Sequence, residues 1–244
     1  MTLTRKPRTS PRRPPEQPWR VLQALVVALV VTIAACGDTE SSQPAEPSVD
    51  SETDTADAGS GTATPGDRIA IGDDEALIWG DGDYGVLLAH GAAFDAASWT
   101  DQASEIAATG NTALAVGNIT EDGLLAAVSY LEDERGITNI AFVGGSAGAD
   151  AILTLLSSQP ALADQIILLS PNRAVDDLGE QPKLFIASED EPGADVSTQL
   201  AETATGTDNR AVLLPGSAHA QNIFSTDEGP RALQLLLDRI REFR

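Results

Sequence analysis

Cysteine, histidine, aromatic side chains and positive charge are all scarce in this chain. Its 244 residues hold one cysteine, two histidines, three Trp, two Tyr and five Phe, and 15 Lys plus Arg stand against 37 Asp plus Glu, a net charge of −22. With Cys36 as the sole cysteine no internal disulfide can form, so the core must hold without a cross-link. Two histidines and one cysteine are too few for the usual zinc sites, and no metal or other cofactor is expected. So large an excess of acid repels phosphate backbones, which argues against nucleic acid as a partner. There is no dinucleotide-binding glycine fingerprint and no internal repeat. The apolar run from Val21 to Ile33, broken by Gln23 and Thr32, is short for a transmembrane helix.

Three regions emerge from what is present. Residues 1–20 carry Arg5, Lys6, Arg8, Arg12, Arg13 and Arg20 against Glu16, a basic segment ahead of an apolar run of signal-peptide length. The paired Arg12 and Arg13 lack the following Phe-Leu pattern of a twin-arginine signal. The run ends in Ile33-Ala34-Ala35-Cys36, which resembles a bacterial lipobox. That resemblance implies a signal peptide over 1–35, cleaved before Cys36, with lipid on the cysteine thiol and its new amine. The expected location is the extracytoplasmic side of the cell membrane, where two or three acyl chains hold far more firmly than one.

Residues 36–66 follow as lipidated cysteine and tether. Positions 37–66 are almost wholly Ser, Thr, Asp, Glu, Pro, Gly and Ala, with seven acids and no Lys or Arg. Such a stretch buries too little apolar surface to offset its ordering entropy. If flexible, it reaches roughly 30 Å. Without residues 1–36 the chain has nine basic side chains against 36 acids, a net −27, with Lys183 its remaining lysine. That charge fits a milieu of high ionic strength and serves solubility equally well.

Residues 67–244 are long enough for one domain with a sizeable core. Short apolar runs alternate with helical patterns. Strands are expected at 68–71, 76–79, 85–90, 112–116, 139–143, 165–169, 183–187 and 210–214. Helices are expected at 99–108, 123–134, 149–158, 194–203 and 227–243. Continuous apolar strands separated by helices imply a mainly parallel sheet covered on both faces, an α/β doubly wound architecture.

Gly144-Gly145-Ser146-Ala147-Gly148 stands between a β-branched strand and a helix. Glycines two before and two after Ser146 let strand and helix approach around a sharp turn that exposes the hydroxyl, ready to attack a carbonyl. Three further segments fall where such a nucleophile needs partners. His90-Gly91-Ala92-Ala93 ends the third strand, where the N–H of Ala92 joins that of Ala147 as a candidate oxyanion hole. His90 reads as a loop pin. The strand at 183–187 ends in Ser188 and three acids, Glu189, Asp190 and Glu191. The last strand leads through Pro215-Gly216-Ser217-Ala218 to His219, which by elimination is the base unless the site has none.

The order serine, acid, histidine and the four segments quoted resemble the α/β-hydrolases, closest to small bacterial esterase-like and dienelactone-hydrolase-like members. The likeness covers nearly all of 67–244. It implies Glu191 as the acid that orients His219, a departure from the usual aspartate, with Asp190 as the competing candidate. Thirteen residues between Leu169 and Lys183 are too few for a cap, so a minimal fold with an open pocket follows, lined by Phe94, Trp99 and Phe224. The implied function is a membrane-tethered serine hydrolase acting on a small-molecule ester or related acyl compound. The alternative is a binding module that uses the same fold without catalysis. Substrate identity and oligomeric state are not legible.

Overall fold

The computed structural model describes residues 63–244. The expected signal segment, the lipidation site Cys36 and all but the end of the expected tether lie outside the described residues. Among the described residues no helix is long and apolar enough to cross a membrane. Residues 64–66, read as the end of the tether, pack on the domain. Trp79 Nε1 donates to the Thr64 carbonyl at 2.8 Å, and a Cβ on Gly66 would fall 2.5 Å from the Trp79 ring.

Among the described residues eight strands form one sheet: β1 (Asp67–Ile71), β2 (Asp74–Trp79), β3 (Tyr84–Ala89), β4 (Thr112–Val116), β5 (Asn139–Gly145), β6 (Gln165–Leu169), β7 (Lys183–Ser188) and β8 (Asn209–Leu214). Their spatial order is β1-β2-β4-β3-β5-β6-β7-β8. The β1–β2 and β2–β4 pairs are antiparallel and every later pair is parallel. Every residue of β3, β4, β6 and β7 is buried, because helices cover both faces of the sheet.

The helices are α1 (Thr100–Ala108), α2 (Glu121–Ser129), α3 (Ala147–Ser158), α4 (Ala194–Thr203) and α5 (Gly229–Phe243). Alternation along each strand splits the core in two. Leu87, Leu114, Phe142, Leu168 and Phe185 face α2, α3 and α4, through Leu124, Ile152, Leu156 and Leu200. Val86, Leu88, Val143, Ile167 and Ile186 face α1 and α5, through Ile106, Leu236 and Ile240.

Helix α2 departs from the sequence expectation at both ends, and α1, α3 and α5 depart at their starts by one or two residues. Thr120 Oγ1 accepts the Gly123 N–H at 3.2 Å and starts α2 at Glu121, two residues early, with Glu121 and Asp122 at the favourable N-terminal end. The expected helix to Glu134 gives way to a π-helical turn over Tyr130–Glu134. There Gly136, at φ 67°, reverses the chain and the Ile137 N–H reaches the Leu131 carbonyl at 2.8 Å.

The chain places β4 on one side of β3 and β5 on the other. The carboxyl ends of β3 and β5 therefore flank the point where the winding reverses, where open α/β sheets form a crevice. The loop from His90 and the turn at Ser146 both start there.

Candidate active site

Ser146 lies between β5 and α3 with φ 50° and ψ −112°, a region that non-glycine residues rarely adopt. The surrounding backbone holds it there. The Ser146 N–H donates to the Leu169 carbonyl at 2.9 Å, and its own carbonyl accepts the Asp150 N–H at 3.0 Å. Two glycines make the approach possible. A Cβ on Gly144 would sit 2.7 Å from Ile152 Cδ1 and 2.8 Å from the Ala149 nitrogen. One on Gly148 would sit 2.2 Å from the Ala89 carbonyl oxygen, so no larger residue lets α3 start this close to β3.

His219 Nε2 lies 2.9 Å from Ser146 Oγ, and His219 Nδ1 lies 2.5 Å from Glu191 Oε2. With its proton on Nδ1 donated to the carboxylate, the ring presents Nε2 as acceptor to the serine hydroxyl. The Glu191 side chain is 1% exposed and that of His219 is 40% exposed, so a buried carboxylate backs an imidazole open to solvent. The other Glu191 oxygen, Oε1, accepts the Ser188 N–H at 2.8 Å and the Ser170 hydroxyl at 2.6 Å. Asp190 is exposed; its backbone N–H donates to Gly216 O at 2.9 Å and holds the loop that leads to His219. The structure thus brings Glu191, and not Asp190, to the histidine.

Ala147 opens α3, and its N–H is among those that an α-helix leaves without an internal partner. Ala92 sits at the exposed tip of a turn closed by the Phe94 N–H on the Gly91 carbonyl at 3.0 Å. Gln221, buried two residues after His219, accepts the Gly91 N–H on Oε1 at 2.7 Å and donates from Nε2 to Ser98 Oγ at 2.6 Å. His90 is turned away from Ser146: its ring nitrogens face the carbonyls of Gly91 at 2.9 Å and Gly117 at 3.4 Å.

The pocket differs from the sequence expectation at Trp99. That side chain is fully buried and meets Phe224 edge-on, with ring centroids 6.1 Å apart, so it has no surface to offer a ligand. Phe94 and Phe224 are half-buried. No helix or strand intervenes between β6 and β7. That connection docks on α3 instead, where the Asn172 backbone and side-chain N–H groups donate to the Asp150 carboxylate at 3.0 and 2.9 Å. A cavity of about 190 Å³ lies beyond the loop at 90–94, lined by Asp95, Ala96, Ala97, Gly117, Arg68 and Glu75, and does not include Ser146 or His219.

Sequence reasoning missed Ser170, Ser188 and Gln221. Ser170 follows β6 and Ser188 ends β7, neither within a motif, and Gln221 is distinguished only by following His219. Their roles come from partners up to 130 residues away, which periodicity does not encode.

No family model matches the chain, and no curated protein matches it. Solved structures do. A dienelactone hydrolase from Anabaena variabilis is similar over 73% of this chain and 98% of its own, at 15% identity and TM-score 0.59. Est1E from Butyrivibrio proteoclasticus covers the same shares at 13% identity and TM-score 0.58. A hydrolase from Thermoplasma acidophilum, described as predicted and CIB-like, is similar over 72% of this chain and 97% of its own, at 17% identity and TM-score 0.56. At these identities the likeness defines the fold: residues 67–244 form a minimal α/β-hydrolase fold without a cap.

Proposed function

We propose that this protein is a serine hydrolase that cleaves carboxylic esters or related acyl compounds through an acyl-enzyme. One observation carries the reading: the unbroken hydrogen-bonded line from Ser146 Oγ through both His219 nitrogens to the buried Glu191. Ser146 Oγ attacks the acyl carbon while His219 Nε2 takes its proton. The negative carbonyl oxygen turns toward the N–H groups of Ala147 and Ala92. His219 returns the proton to the leaving alcohol, and the acyl group remains on Ser146. Water then repeats the sequence, giving its proton to His219 and releasing the acid. The Glu191 carboxylate holds the ring and balances its transient positive charge.

The uncapped site and the half-buried Phe94 and Phe224 suit small acyl groups. The names of two neighbours, a dienelactone hydrolase and a hydrolase, agree with this chemistry. The Ile33-Ala34-Ala35-Cys36 sequence supports an enzyme tethered by lipid on Cys36 to the outer side of the membrane. A fluorophosphonate probe tests the chemistry: the full-length protein is expected to label at one residue, and Ser146→Ala to abolish labelling. Labelling that survives in Ser146→Ala contradicts the assignment.

A further inference from the structure

We propose that Ser170 is a positioning residue that locks the acid and the base of this site into one register, an inference that rests on reading Ser146, His219 and Glu191 as a catalytic unit. Glutamate has one more rotatable bond than aspartate, so its carboxylate needs more fixing to keep one oxygen on His219 Nδ1. Two groups fix it, and both bind Oε1. Ser188 N–H is three residues away on the same strand end and moves with Glu191. Ser170 belongs to the neighbouring strand end and provides the outside reference.

The Ser170 hydroxyl has a second task. Its oxygen accepts the Ala220 N–H at 2.8 Å, so one side chain touches both the acid and the residue that follows the base. On the other side of His219, Ser188 Oγ donates to the Ala218 carbonyl at 2.6 Å. The histidine is thus bracketed by backbone bonds to the two serines that also hold the acid.

Both ends of the Ser170–Ala220 bond are strained. Ser170 has φ 47° and Ala220 φ 50°, and both are buried. A left-handed backbone at two non-glycine residues is unfavourable, and it persists where surrounding contacts over-determine it. Here the Ser170 N–H donates to the Ile186 carbonyl at 2.7 Å, which aims the hydroxyl between Glu191 and Ala220.

Full-length Ser170→Ala and Ser170→Gly test this together. Both remove the hydroxyl, but glycine relieves the φ of 47° and alanine does not, so Ser170→Gly is expected to melt at the higher temperature. Positioning requires kcat toward a short aryl ester to fall by about 10- to 100-fold equally in both, with KM little changed. The chain has two histidines, and a His219→Ala control assigns its Nδ1–H proton resonance without ambiguity. That resonance, expected far downfield in the wild type, should move upfield or broaden in both variants. Turnover that follows melting temperature, or a resonance unchanged in both, overturns the proposal. If wild type neither turns over nor labels at Ser146, the catalytic reading falls, and the resonance alone still decides whether Ser170 orders the His219–Glu191 pair.

Discussion

The side chain of Gln221 accepts the backbone N–H of Gly91 at 2.7 Å, joining the loop after His219 to the loop that carries Ala92. The segment His219-Ala220-Gln221 thus bonds to Ser146, Glu191, Ser170 and the loop at Gly91. His219 Nε2 faces Ser146 Oγ, Ala220 N–H donates to Ser170 Oγ, and Gln221 Oε1 accepts the Gly91 N–H from behind the candidate oxyanion loop.

Gln221→Leu keeps the bulk and removes both bonds, leaving the Gly91 N–H and Ser98 Oγ without this partner. Losing one oxyanion donor costs about 3 kcal/mol, and a loosened loop should forfeit part of that. On the catalytic reading, turnover is expected to fall by roughly 10-fold or more with Ser146 still labelled, since Ser146 and His219 are unchanged. Stopped-flow kinetics alongside probe labelling separate the two effects.

Glu191→Gln should cut turnover by several orders of magnitude, because the amide cannot balance the imidazolium and favours the wrong tautomer. Asp190→Asn is expected to have little effect, since that carboxylate is exposed and the His219 bond belongs to Glu191. Steady-state rates of the two variants measure the contrast, and the reverse order would move the role to Asp190.

Lys183 sits at the opposite end of β7, fully buried, with Nζ donating to the carbonyls of Gly179, Gln181 and Thr205 at 2.6, 2.7 and 2.8 Å. Lys183→Met strands these acceptors and is expected to destabilise the domain by about 2 kcal/mol, read from urea unfolding. Burial also pushes the ammonium down to about 8. The unfolded chain then holds this proton more tightly, so the lysine's contribution rises between about pH 8 and its unfolded value near 10.4. The wild-type unfolding midpoint is expected to gain over that window relative to Lys183→Met.

Cys36→Ser should release the protein from the membrane fraction or leave it unprocessed. Fractionation of cells expressing both forms decides this, and a wild type that is soluble with unmodified Cys36 would remove the anchor from the proposed function.

Much of the architecture is legible in the chain because buried parallel strands are nearly continuous apolar runs. Leu87, Phe142, Ile167 and Phe185 announce themselves in this way. The turn at Ser146 is equally visible, since its glycines answer a steric need that only they meet. The start of α2 was less visible, because Glu121 and Asp122 resemble a loop until the Thr120 cap is seen. Trp99 misled for a similar reason: composition marks an aromatic near the site, but not whether it faces ligand or core. Ser170 and Gln221 were silent because a hydrogen bond across 50 or 130 residues leaves no local pattern.

The most direct test of the catalytic reading is pre-steady-state hydrolysis of p-nitrophenyl acetate by the full-length protein. An acyl-enzyme on Ser146 should release a burst of nitrophenol approaching one equivalent before the slower steady state. Ser146→Ala and His219→Ala should each lose the burst and most of the rate, and the double variant should be little worse, because the two side chains act as a unit. Folded wild type that shows neither burst nor turnover, or a burst that persists in Ser146→Ala, would contradict it.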